Sequence, residues 1–112
     1  MNPDNTKVET LDEYQIKAFA FRVPDASGEE RVFGLLEEAG EVAGIFKRLL
    51  RRDFDEDVAA TKLHKELGDV LWYLSQIAAD NGWKLSDVAS ENLSKLESRK
   101  LRGLILGTGS DR

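Results

Sequence analysis

Between residues 34 and 47 the chain reads GLLEEAGEVAGIFK, which sets Glu37, Glu38 and Glu41 into an otherwise apolar stretch. Successive helical residues rotate by about 100°, so Glu38 and Glu41 share one side and flank the apolar stripe. Glu37, four residues before Glu41, extends the acidic patch around the back. Farther along, Glu66 and Asp69 repeat the three-residue spacing, and Glu66 falls at the margin of the stripe set by Leu63, Val70 and Ile77. A carboxylate on a core-facing edge needs a compensating charge, because an unpaired buried anion is very costly. Two such helices packed antiparallel would gather Glu38, Glu41, Glu66 and Asp69, and four carboxylates that close repel strongly unless divalent cations lie between them. All-oxygen ligands favour a hard ion, Mg²⁺ before Mn²⁺. Magnesium held by carboxylates usually keeps waters and takes its remaining ligands from phosphate. Either half of this pattern alone is common on solvated helix faces; the pairing on successive helices is what points to a metal cage.

The opposite charge comes later in the chain. Asn92, Lys95 and Arg99 stand at i, i+3 and i+7, an amide and two cations on one helical face. Alone they read as a solvated face with snorkelling stems; opposite an acidic metal site they would hold phosphate oxygens. Tyr73, four residues after Asp69, projects from the side of the acidic pair and could contact a base or sugar, although such a tyrosine is more often core. Trp72 points away from that face, toward another helix or subunit. The single histidine, His64, lies off the face of Glu66. A di-iron carboxylate bundle wants Glu-x-x-His pairs, and neither Glu38 nor Glu66 has a histidine three residues on.

Helices must position these groups. Thr10 and Glu13 form a capping box that opens a first, short helix through about Phe21. Pro24 and Gly28 mark a loop. From Glu29 to Leu50 the apolar residues recur at three- and four-residue spacings, as in an amphipathic helix. A third helix is expected over Val58 to Ala79, ended by Gly82 in the left-handed conformation. Ser86 is the expected N-cap of a fourth, running to about Leu101. Gly40 and Gly44, inside the second helix, each cost about 1 kcal/mol relative to alanine; they either admit a close neighbour over Ala39, Gly40, Ala43 and Gly44 or are simply tolerated. No segment alternates with period two. The expectation is an all-α, four-helix bundle in a single domain over 1–112, with a loose stretch at 1–9 and a glycine-rich tail at 103–112.

With 112 residues the chain supports one modest core, and a net charge of −5 without a basic run argues against a nucleic-acid polymer as partner. The absence of cysteine excludes disulfides and thiolate metal sites. Neither a signal peptide nor a membrane-spanning run is read, so the expected location is cytoplasmic. The acidic face leaves one non-enzymatic alternative, a helical module that binds a basic partner.

Taken together, EEAGE, a spacer of 24 residues, ELGDVLWYL and the later NLSKLESR resemble the MazG-type nucleoside triphosphate pyrophosphohydrolases. These belong to the all-α NTP pyrophosphatase superfamily, with dimeric dUTPases and phosphoribosyl-ATP pyrophosphatases as relatives. The resemblance covers about residues 10–101. It implies that Glu38, Glu41, Glu66 and Asp69 are magnesium ligands, that Glu37 supports catalysis or orients water, and that Asn92, Lys95 and Arg99 face the triphosphate or sugar. It further implies a homodimer or dimer-of-dimers tetramer, with sites between helices and completed across subunit contacts. The implied activity is hydrolysis of nucleoside triphosphates, dNTPs or noncanonical NTPs, to a monophosphate and pyrophosphate. The implied role is house-cleaning of the nucleotide pool; dUTP-restricted and phosphoribosyl-ATP activities are the alternatives within the superfamily.

Overall fold

In a computed structural model, which describes residues 3–103, the four expected helices are α1 (Leu11–Phe19), α2 (Gly28–Leu50), α3 (Glu56–Asp80) and α4 (Leu85–Leu101). A 3₁₀ turn at Pro3–Thr6 precedes them, and no strand occurs among the described residues. The tail from residue 104 lies outside the described residues. Thr10 caps α1, its hydroxyl accepting from the Glu13 N–H at 3.1 Å. The return bond reaches one residue earlier than a capping box prescribes, from the Glu9 N–H to the Glu13 carboxylate. Ser27 and Asp55 cap α2 and α3 likewise, accepting from the N–H groups of Glu30 and Val58. Gly82 has a φ of 72° and the Trp83 N–H reaches back to the Ala78 carbonyl at 2.9 Å, the helix ending expected there.

The start of α4 differs from the sequence expectation. Ser86 is not its N-cap but its second helical residue; Lys84 is the N-cap and makes no side-chain cap bond. The first amides of a helix need partners, and α1 supplies them from across the fold. Gln15 Oε1 accepts from the Leu85 N–H at 2.9 Å, and Asp12 accepts from the Ser86 N–H at 2.9 Å and the Ser86 hydroxyl at 2.6 Å. The bond from the Ser86 hydroxyl, then that from its N–H, holds the Asp12 carboxyl below the usual carboxylate range. A local reading of sequence finds the nearest serine and cannot see a carboxylate that arrives from another helix.

The principal contact is α2 on α3, with α1 and α4 packed on α3 and on each other. Arg31 meets Asp80, Gly34 meets Tyr73 and Glu38 meets Glu66, so α2 and α3 run antiparallel. Asp80 fixes their register: it takes Nε and Nη2 of Arg31 at 2.6 and 2.7 Å and Nη2 of Arg22 at 2.7 Å. Arg31 is only 8% exposed. Asp80→Ala is therefore expected to destabilise the fold by about 3 kcal/mol, because a guanidinium is left buried without its counter-ion. Urea denaturation of the two proteins checks this.

The interior of the chain is sparse. Among the described residues the buried apolar ones are Ala18, Ile45, Ala59, Ala78 and Leu85, and the largest fully enclosed side chains are Gln76 and Ser75. Polar groups join α1 to α3 instead: Gln15 Nε2 donates to the Ser75 carbonyl at 3.1 Å. Trp72 turns toward α1 as expected, its indole N–H donating to the Ala18 carbonyl at 3.1 Å. Meanwhile Leu36, Phe33, Ile16 and Leu50 are 68–85% exposed. No described helix is long and apolar enough to cross a membrane.

Candidate metal centre

The antiparallel register of α2 and α3 places Glu38 opposite Glu66 and Asp69. One carboxylate oxygen from each lies within 4.8 Å of the others. Glu38 and Glu66 are half-buried and Asp69 is exposed, so the cluster opens to solvent on one side. Oε2 of Glu66 is enclosed and has no hydrogen-bond partner, an arrangement that costs free energy unless something else meets that oxygen. The Glu38 carboxyl is pushed up to about 7. Its hydrogen bond with Glu66 is the largest cause, followed by desolvation and the charges of Asp69, Glu66 and Glu37. The Glu38 carboxyl thus keeps its proton toward neutrality in a place where a divalent cation would meet Glu38 and Glu66 together. The donors are all oxygen, and they fit Mg²⁺ or Mn²⁺ rather than a soft metal.

The raised Glu38 value fixes the sign of a pH effect. The folded state binds that proton more tightly than the unfolded chain, so the contribution of Glu38 to stability in chelator-treated buffer is fully present below pH 4.5 and is lost as pH rises to about 7. Glu38→Gln is expected to flatten the decline and to raise the melting temperature at pH 8. Thermal melts across that range, with EDTA present, measure both.

The other predicted residues are placed variously. Glu41 is exposed and stands outside the close group of three. Glu37 is exposed and borders a cavity with Tyr73 and Trp72. Asn92 and Lys95 lie on the exposed face of α4, where they line a separate groove with Trp83 and Lys84. Arg99 is buried, at 7% exposure. One chain therefore joins Glu38, Glu66 and Asp69, whereas Asn92 and Lys95 occupy a surface of their own.

Two features escaped the sequence reading. Tyr14 of α1 borders the site: burial raises its phenol first and the charge of Asp69 raises it further. The helical glycine with a close neighbour is Gly34, since a Cβ there would overlap the ring edge of Tyr73 and lie 2.8 Å from its hydroxyl oxygen. Gly40 has nothing within 4 Å, and Gly44 meets only the Arg48 guanidinium at 3.6 Å. The signal was available in the spacing: Gly34 lies one turn before Glu38, and Tyr73 one turn after Asp69.

Residues 27–102 match the MazG nucleotide pyrophosphohydrolase domain. The chain is also similar to the Gene 37 protein of Mycobacterium phage L5, 46% identical over 84 residues that cover 70% of this chain and 71% of the phage protein. No solved structure matches it.

Proposed function

Because the chain belongs to the MazG nucleotide pyrophosphohydrolase family, we propose that its carboxylate cluster hydrolyses nucleoside triphosphates, dNTPs or noncanonical NTPs, between the α and β phosphates. The products are a nucleoside monophosphate and pyrophosphate. The observation that carries this reading is the convergence of Glu38, Glu66 and Asp69 around an unpartnered, enclosed Glu66 oxygen. These three would hold Mg²⁺, with Glu41 completing the set from the next turn. When bound, the ion would offset phosphate charge and make an attacking water more acidic. Glu37, beside the cluster, orients that water by accepting its hydrogen bond. Lys95, with Asn92 and Arg99, meets the negative charge that builds on the departing pyrophosphate.

A second copy of the chain completes the site. Two observations support this: the α4 groove that contains Asn92 and Lys95 is separate from the cavity beside the acidic cluster, and α2 carries a line of exposed apolar residues (Leu36, 70%; Phe46, 51%; Leu50, 85%). In a dimer or a dimer-of-dimers the α4 cations of one copy would serve the carboxylates of the other.

The test is a panel of canonical and uracil-bearing triphosphates with Mg²⁺, read for pyrophosphate against orthophosphate. Pyrophosphate as first product, lost with EDTA, is expected. Orthophosphate first would mean that a different bond is cut and would overturn the assignment. Turnover of dUTP alone would narrow it to the restricted activity.

A further inference from the structure

We infer that the cavity between the first turns of α2 and the Trp72–Tyr73 pair of α3 seats the substrate's nucleobase, and that Gly34 keeps this seat open by letting Tyr73 lie against the α2 backbone. The inference rests on the triphosphate reading above and adds the part of the site that binds the ring.

The cavity measures about 370 Å³ and is bounded by Phe33, Trp72 and Tyr73, with Glu30, Arg31 and Glu37 as its charged groups. That is a small-molecule size with aromatic rings in its wall. The rings of Trp72 and Tyr73 meet edge to face, at 88° with centroids 5.0 Å apart, so they form a corner. A flat heterocycle can stack on one ring while its edge meets the other. Phe33, 68% exposed, lines the same cavity from α2 and would cover the ligand's second face.

Position identifies the occupant. Gly34 lies four residues before Glu38 on α2, and Tyr73 four residues after Asp69 on α3. The cavity is thus displaced from the carboxylates by one helical turn, about 5.4 Å. A nucleotide places a sugar between its α-phosphate and its base, a spacing of that order. Glu37 touches both places, being next to Glu38 and in the cavity wall. Arg31 is already committed to Asp80, so the cavity offers no free cation to a phosphate; an uncharged ring is the better fit.

Gly34 is a positioning residue in this account. A side chain there would collide with the Tyr73 ring and drive it outward into the cavity. The sole evident use of a helix-weakening glycine at 34 is to accommodate that ring.

The full chain with Trp83→Phe leaves Trp72 as its one tryptophan, a reporter in the wall of the cavity. Its fluorescence is titrated with each of the common deoxynucleosides, without metal, and with 2-deoxyribose 5-phosphate as the baseless control; KM and kcat for the triphosphate are measured in parallel. At least one deoxynucleoside is expected to change the signal saturably and the control is not. Phe33→Ala and Gly34→Ala should each raise KM by about tenfold, the scale of one lost aromatic stack, with kcat little changed. Phe33 is exposed, so its truncation leaves the fold intact even where Gly34→Ala does not. Deoxynucleosides without effect, or an unaltered KM in Phe33→Ala, overturn the base seat. So does loosened self-association in Phe33→Ala with KM unaltered, which would assign the cavity to a second copy. Nucleoside binding in a protein that hydrolyses no triphosphate would instead remove the parent reading and leave the seat standing.

Discussion

Asp69→Ala is expected to lower kcat/KM for triphosphate hydrolysis by about 10³-fold or more, the scale of losing an electrostatic anchor of a phosphoryl transition state. The same substitution should leave helix content unchanged and leave or raise the melting temperature in EDTA. Asp69 is exposed and its charge is among the causes that raise Glu38, so removing it relieves repulsion and opens no cavity. Activity and metal-free stability thus move in opposite directions, a combination that ordinary damage to the fold does not produce. Magnesium supplies the third readout. Wild-type protein should melt at a higher temperature as Mg²⁺ is added, because a ligand of the folded state stabilises it by mass action; Asp69→Ala should respond far less. Glu41→Ala is expected to follow in activity. Its metal response decides whether the exposed Glu41 side chain swings in to join the three that already converge. Full turnover by Asp69→Ala would remove the cluster from the reaction.

The sequence made the helices legible because their signals are local: three- and four-residue apolar spacing, Thr10 at one end, Gly82 at another. The convergence of Glu38, Glu66 and Asp69 was legible for a related reason. An i, i+3 pair of acids beside a core stripe needs only an antiparallel neighbour with the same pattern, and short loops between long helices provide it. What stayed hidden depended on contacts between distant segments. The cap of α4 comes from Asp12 and Gln15 on α1, and the α2–α3 register is set by Arg31 on Asp80, which also holds Arg22 from the segment before α2. Gly40 and Gly44 stand out in the sequence because they flank the acidic motif, yet only Gly34 faces a ring. A glycine's neighbours are a property of register, and register is fixed by side chains elsewhere.

A chain carrying both Leu36→Asp and Phe46→Asp is expected to lose self-association and, with it, a cooperative thermal transition. The reason lies on α2, where Val32, Leu36, Ala39, Ala43, Phe46 and Leu50 follow one another at alternating spacings of four and three. That alternation is the seam of a coiled coil. All six are exposed in the single chain, Leu50 to 85%, while α2 meets α3 through another line that includes Arg31, Glu38 and Ile45. Each large apolar side chain covered by a partner contributes about 1.5–3 kcal/mol, and among the described residues the buried apolar ones are Ala18, Ile45, Ala59, Ala78 and Leu85, three of them alanines. A second copy that covered the seam would supply stability that this interior does not, and folding would then be coupled to assembly. Sedimentation should show the wild type as an oligomer whose melting temperature rises with concentration, and the double variant as a monomer. Complementation then asks what the assembly is for. Asp69→Ala and Lys95→Ala damage different motifs. If each site draws carboxylates from one copy and α4 cations from the other, mixing the two inactive proteins creates one intact site in every mixed dimer. Random pairing makes half of the dimers mixed, so about a quarter of wild-type activity returns. No recovery, with exchange of subunits demonstrated, would mean that α4 serves the carboxylates of its own chain.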